Sequence, residues 1–533
     1  VPITVSSAMR GRLPPAVLAL TFAGCGGSGH GDSQVAAPGD PDPPLLVNPS
    51  ALSAQSVEGQ SSAVTTLVSY DGQVDTSFPP TLKLEYDDNV ISSVDVRPAG
   101  LRTAFVTLSS SPELEVGEHV DTVGLYVCTS PSCSRLYSST PVTLAYRVTV
   151  TAAPAARTLK PLPTITGLPE WETYQGNPAH TGHVPVTLDE ARFTTGWTWR
   201  SPFPYTLLSP ATTGSGLVVV SATGRDSPAY LVALNEADGT TAWQHDFGPV
   251  HNLNHPAAAA GRVFVATSGR GDTAMWSFEL ATGEQLFQTP FESQWDSYLA
   301  PTFGNGIVYA NGGYYGGMYA FEASSGLKHW FASLAPYHLW SPAVDDTYAH
   351  AYTGSEWVAV NRVTGEQVFS LPNSAFNGGG YALNSAPVID TPDTIVVVDA
   401  VRPTLPALAN HLIRYSISGR NELWHVSGSF ASNPATAAGR IYVSSTAANA
   451  LDVYDATNGA RLWSWNAPED ISVGNLIVTN NLVFASTTSA TYAIDIATHQ
   501  SVWSTPQTGH LALSSNGVLY IVSSQRIDAY ELL

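Results

Sequence analysis

Apolar and polar residues alternate in short runs along most of the chain. TLKLEY (81–86), TAFVTL (103–108), VGLYVC (123–128) and VTLAYRVTV (142–150) each put every second side chain on one face. That two-residue period belongs to a strand buried on one side. Turn residues separate the runs and no helical period intervenes, so residues 46–152 are predicted to form a β-sandwich.

After residue 170 the pattern becomes a repeat. VALNEADGTTAW (232–243), SFELATGEQLF (277–287), AFEASSGLKHW (320–330), VAVNRVTGEQVF (358–369), RYSISGRNELW (414–424), VYDATNGARLW (453–463) and AIDIATHQSVW (493–503) are versions of one phrase. Their last aromatics, Trp243, Phe287, Trp330, Phe369, Trp424, Trp463 and Trp503, are 44, 43, 39, 55, 39 and 40 residues apart. Upstream of most lies a second phrase, a proline-containing strand, a turn and an apolar strand, as in HPAAAAGRVFVATS (255–268) and NPATAAGRIYVSS (433–445). Each unit therefore holds four strands, the signature of a propeller blade. Glycine in DGTT, TGEQ, SSGL and NGAR supplies the positive φ of the tight reversal. His499 replaces that glycine in the last unit, and a long insertion around 401–411 interrupts the fifth. HLALSSNGVLYIVSSQRIDAYELL (510–533) offers three strands without a fourth. RFTTGWTWRS (192–201) is expected to supply it, with Trp197 or Trp199 in the aromatic position, which closes the ring and removes its free edges.

The A-x-D-x-x-T-G-x-x-x-W phrase, recurring in register, resembles the repeat of quinoprotein-type (PQQ-like) propellers, and WETYQGNPAHTGH (171–183) is similar to the segment that opens them. The resemblance implies an eight-bladed propeller over 171–533. The end of the sandwich segment, LEVGEHVDTVGLYVC followed by TPVTLAYRVTV, resembles bacterial immunoglobulin-like modules. The expected fold is thus all-β, an immunoglobulin-like β-sandwich before an eight-bladed β-propeller, joined by a linker at 153–170.

The N-terminus changes the picture from a cytosolic protein to an exported one. In MRGRLPPAVLALTFAGC (9–25) two arginines precede an apolar run that ends in small residues and a cysteine. The run is too short for a stable membrane span. It resembles a bacterial lipoprotein signal over residues 1–25, which implies lipidation of Cys25. Gly26, not aspartate, follows, which by the same resemblance implies the outer membrane, facing the periplasm or the cell surface. Residues 26–45, rich in Gly, Ser, Pro and Asp, form a tether with an end-to-end distance of roughly 25 Å. Charged residues are only 12% of the chain and the formal net charge is −21. A surface that acidic excludes nucleic acid as a natural partner. Of three cysteines, Cys128 and Cys133 share one short loop, and in an exported protein they are expected to form a disulfide.

The residues that could carry chemistry are few. Quinoprotein alcohol dehydrogenases share the repeat, but as a family they use an adjacent cysteine pair, calcium-binding carboxylates and an aspartate base. No cysteine lies beyond residue 133, and the acidic residues fall mostly in the turns. No enzyme activity, cofactor or metal is expected. HNLNH (251–255) and NPAHTGH (177–183) hold histidine pairs in loops rather than on a helix that would align them. GGYYGG (312–317) lacks the Lys-Ser/Thr of a phosphate loop and reads as a turn. The loops leading into the innermost strands are the candidate ligand surface: His251, Asn254, His255, Trp295, Asp296, Tyr298, Tyr337, His338, Trp340, Tyr381, Asn384 and Phe430. Rigid aromatics beside amides suit a peptide or a sugar. Signal, tether and propeller together resemble the propeller lipoproteins of the outer-membrane barrel-assembly machinery. The expected function is a monomeric, non-catalytic, membrane-tethered scaffold that binds envelope proteins, outer-membrane assembly factors among them. A carbohydrate- or envelope-polymer-binding lipoprotein and a PQQ-dependent dehydrogenase are the alternatives.

Overall fold

The computed structural model describes residues 45–70, 81–100, 103–128, 141–151, 167–203, 206–224, 227–269, 271–336, 339–373, 385–399, 410–446, 448–471 and 473–533. Cys25, the expected lipidation site, most of the expected tether, Cys133, most of the 153–170 linker and most of the 401–411 insertion lie outside them. So do four candidate ligand residues, Tyr337, His338, Tyr381 and Asn384. The chain divides into two compact units, Val1–Ala155 and Ala156–Leu533.

The first unit has two four-stranded sheets. One is ordered Leu45–Asn48, Ala63–Tyr70, Thr103–Ser110, Ile91–Gly100, and the other Ala51–Val57, Val142–Thr151, Gly117–Cys128, Thr81–Glu85. Burial alternates along Ala51–Val57 and Thr103–Ser110, as the apolar pattern requires. The inward set, including Val106, Leu108, Val123, Leu144 and Tyr146, forms a single core. Cys128 is buried at the end of its strand.

Among the described residues, the second unit is a propeller of eight antiparallel sheets. Blade one has its inner strand at Thr212–Gly214, followed by Leu217–Thr223, Ser227–Asn235 and Thr241–Val250. Blades two to seven repeat this order, their inner strands at Ala257–Ala259, Thr302–Gly304, Ala343–Val344, Val388–Thr391, Ala435–Ala437 and Val473–Val478. Blade eight takes His510–Leu513, Val518–Val522 and Arg526–Glu531 from the end of the chain and Thr194–Arg200 from the start of the unit, with Ile527 opposite Trp199 and Asp528 opposite Thr198. Each inner strand neighbours the next, and that of blade eight returns to that of blade one, so the ring is closed.

The recurring aromatic is the joint between blades. Trp197 fills the position in blade eight and is buried, while Trp199 is half-buried. The indole Nε1 of Trp197 donates to the Glu236 carbonyl in blade one at 2.7 Å. Trp243 donates to Leu280 at 2.8 Å, Trp330 to Arg362 at 3.2 Å and Trp424 to Ala456 at 2.9 Å. Phe287 and Phe369 make the same packing without that bond: Phe287 lies over Gly326, and Phe369 faces Arg420 at 4.9 Å. Trp503 packs edge-on against Phe193 and Tyr530. His499 takes the turn glycine's place with φ 62° and stacks flat on Trp463 at 4.4 Å, where Trp463 Nε1 finds no acceptor.

The turn glycine thus answers two demands, which predicts a measurable difference. Gly283 has φ +73°, and a Cβ there would lie 2.6 Å from Trp243. Gly261 has the same φ with open space around the added carbon. Gly261→Ala is expected to cost about 1 kcal/mol, the left-handed backbone alone. Gly283→Ala is expected to cost about 3 kcal/mol, because the packing clash is added. Denaturant unfolding of both variants checks the gap, and equal losses would remove the steric half of this account.

Candidate functional site

The functional geometry starts from an edge problem. The innermost strand of each blade turns unpaired backbone groups toward the ring axis, and such an edge needs a cover. Residues 170–182 provide it, touching the blades in ring order. Ser515 of blade eight bonds the Glu170 carboxylate through its backbone N–H and its hydroxyl. Thr213 N donates to Trp171 O at 2.9 Å in blade one, and Ala258 N to Glu172 O at 2.8 Å in blade two. Thr173 Oγ1 donates to Pro301 O at 2.6 Å in blade three. Val344 N, Ile389 N, Thr436 N and Val478 N then donate to the carbonyls of Pro178, Ala179, Thr181 and Gly182 in blades four to seven. The segment circles the axis once and plugs it.

His180 pins the plug at the centre. It is fully buried, with Nδ1 3.1 Å from Pro387 O and Nε2 3.2 Å from Thr302 Oγ1. A carbonyl only accepts, so Nδ1 carries the proton and Nε2 accepts from the threonine hydroxyl. Burial pushes the imidazole pKa down to about 4, so the ring is neutral. Tyr174 packs edge-on against it at 5.4 Å, and its hydroxyl accepts from Asn433 Nδ2 at 2.6 Å. The expectation of a polar loop histidine is corrected here: at His180 the ring is a buried bridge between blades three and five.

A cavity of about 710 Å³ lies over the plug. Trp171, Thr173, Tyr174 and Gln175 line it from the plug, and the residues that precede the inner strands line its wall. Aligning the blades on those strands gives Pro210, His255, Ala300, Ser341, Ala386, Asn433, Asn475 and His510 at one equivalent position, followed by proline in blades two to six. Six of these eight line the cavity. Proline is tolerated at the start of an edge strand because its missing N–H faces the axis.

The polar groups of the wall are mostly committed. Asn254 is buried, gives Nδ2 to Ala266 O and Ser268 Oγ, and accepts from Tyr298 N at 2.7 Å. Asn433 accepts from Ala386 N, and Asn475 exchanges both its bonds with the Leu511 backbone. The rings of His255 and His510 have no hydrogen-bond partner among the described residues, and His510 is exposed to the cavity. Enclosure by protein holds both below the usual histidine range, His255 at about 3, with mutual repulsion adding to the shift of His255. Gln175 Nε2 donates to His180 O and Pro434 O, while its buried Oε1 finds no donor.

The structure divides the candidate surface. His255, Asn254 and Tyr298 meet at the cavity. His251 lies aside, its Nε2 3.2 Å from Asp296 Oδ2. Half-buried Trp295 donates Nε1 to Pro336 O at 3.1 Å. Trp340 and Phe430 are corrections. Both are buried in cores between blades, Trp340 with Tyr309 and Val344, Phe430 with Tyr454 and Ile441, because their large apolar area is worth more there than at a wet mouth. His510, Asn433, Asn475 and Gln175 escaped sequence reasoning. The signal that finds His510, Asn433 and Asn475 is the register of the repeat just before each inner strand, not local loop composition; Gln175, in the plug, carries no such signal.

Comparisons with known proteins bear on this arrangement. Residues 227–464 match the family model described as outer membrane protein assembly factor BamB. Among solved structures, BamB from Moraxella catarrhalis superposes with a TM-score of 0.50 at 14% identity, over 64% of this chain and 97% of that one. Quinohemoprotein alcohol dehydrogenase from Comamonas testosteroni superposes with a TM-score of 0.53 at 13% identity, over 68% of this chain and 80% of that one. No curated protein sequence matches the chain. At these identities the structures establish a PQQ-like propeller fold and nothing of its chemistry. The cavity does not fit pyrroloquinoline quinone, a tricarboxylate held with calcium. Among the described residues its lining has no Lys or Arg to face the carboxylates and no Asp or Glu for the metal.

Proposed function

We propose that this protein is a non-catalytic propeller scaffold of the bacterial cell envelope, tethered to the outer membrane through Cys25, which binds protein partners. The observation that carries the reading is the match of residues 227–464 to the family described as an outer-membrane assembly factor. The plug supports it: an axis filled by the chain's own backbone leaves loops and rim as the working surfaces. No helix among the described residues is long and apolar enough to cross a membrane.

One feature of the loop face suits a protein partner. The turn Gly313–Gly316 of blade three displays Tyr314 and Tyr315 at 63% and 75% exposure, ring against ring at 5.1 Å. A bond from Gly313 N to Glu292 O at 2.7 Å ties this turn to the loop that carries Trp295. Exposed aromatics on a rigid turn are the residues that dominate binding energy at interfaces. The same reading takes residues 46–152 as an immunoglobulin-like spacer, 26–45 as the tether and 153–170 as the linker, with a Cys128–Cys133 disulfide and a monomeric chain.

Crosslinking in native envelopes, followed by mass spectrometry, tests it. Links from blade three to outer-membrane assembly subunits are the expected result, weakened by Tyr314→Ser with Tyr315→Ser. Links only to other envelope proteins would keep the scaffold and retire the assembly role. No specific link would sink both.

A further inference from the structure

We infer that the funnel over the plug binds an uncharged saccharide of one or two rings, held by His255 and His510. This goes beyond the scaffold reading, and neither depends on the other.

Four observations point this way. The cavity, at about 710 Å³, falls within the range of about 300–1,000 Å³ typical of small-molecule sites. Its lining has no charged side chain among the described residues, so an ionic ligand would leave water without a counter-charge. Its asparagine amides are already bonded within the protein, which leaves the two imidazoles, beside the Ser297 hydroxyl, as side chains of the wall without a hydrogen-bond partner among the described residues. They stand in blades two and eight, on either side of Pro210 in blade one, at the same position of the repeat. A neutral imidazole offers one donor and one acceptor, as a sugar hydroxyl does. Leu208, Leu253, Leu299 and Leu511 supply apolar walls for the carbon face of a ring.

The closed floor decides between a saccharide and a peptide. The plug is bonded to every blade, so no chain can thread the axis. A peptide could then enter only by a terminus, whose charge finds no partner, or as a hairpin. A sugar of one or two rings ends inside the funnel and brings no charge.

The test is calorimetric titration of the whole protein with maltose, lactose and N,N′-diacetylchitobiose, beside glucose 6-phosphate and glucosamine as charged probes. At least one neutral sugar should bind, and each charged probe should bind at least about tenfold more weakly. His255→Leu and His510→Leu should each weaken binding about three- to tenfold, the loss of one or two hydrogen bonds, with the melting temperature unchanged. A second readout needs no variant. The bound sugar should shield His255 and His510, but not His329 or His425, from diethylpyrocarbonate, read by mass spectrometry. The inference is overturned by no response to any neutral sugar at about 20 mM, by equal affinity in the double variant, or by both rings reacting at full rate in saturating sugar. Zinc binding that needs both histidines, without sugar binding, would reassign the pair and overturn it too.

Discussion

Trp197→Ala is expected to lower the unfolding free energy by about 3–5 kcal/mol, one of the two largest losses foreseen for a single substitution in the propeller. Trp197 is 1% exposed, packs on Gly239 and lies 5.7 Å from Tyr520. Its removal leaves a cavity and strips the Glu236 carbonyl of its donor. Its strand is also the one outer strand that reaches its sheet from the other end of the unit, so its anchorage is the closure of the ring. Trp463 is the internal control. It occupies the same place in blade six, but it is only half-buried and its Nε1 finds no acceptor. Trp463→Ala should cost roughly half as much. Guanidinium unfolding of both variants reads the difference, and equal losses would contradict the account of closure.

The second large effect lies in the plug. His180→Ala is expected to cost about 3–4 kcal/mol at neutral pH, since it opens a void at the axis and leaves Pro387 O and Thr302 Oγ1 without their bridge. The loss should depend on pH. His180 is held at about 4 in the fold and titrates near 6.5 unfolded, because burial disfavours the imidazolium. The unfolded chain therefore binds the proton first. The stability that the neutral ring confers is complete above pH 6.5 and is lost as pH falls toward 4. The gap between wild type and His180→Ala should narrow over that window by an amount on the order of 3 kcal/mol. Glu172 and Glu236, pushed upward by burial, titrate in both proteins, so their contribution cancels in the difference. Stability measured against pH for the two proteins checks it; a constant gap would mean that His180 is not held neutral.

Much of this fold is legible in the chain. An aromatic recurring some 40 residues apart, a glycine turn before it and an apolar strand before that are local signals, set by a two-residue period and by tight-turn geometry. They identify the four strands of each blade. The unpaired strands at 510–533 call for the strand at 192–201, because a sheet short of its fourth strand leaves an edge open. The candidate site was harder to read. Trp340 and Phe430 sit in loops rich in polar residues, yet both fold back between blades. Local composition cannot distinguish an aromatic that seals two sheets from one that greets a ligand.

The sequence by itself determined the architecture: the strands, their grouping into blades, the closing strand and the aromatic joints. These follow from patterns whose partners are neighbours in the chain or the next copy of the repeat. Only the tertiary structure decided what the ring encloses. The circuit of residues 170–182 and the meeting of His255 with His510 join residues hundreds of positions apart. No periodicity encodes such neighbours. They exist because eight similar edges converge on one axis, where backbone bonding must be completed and the space left over takes its character from whichever side chains the ring brings there.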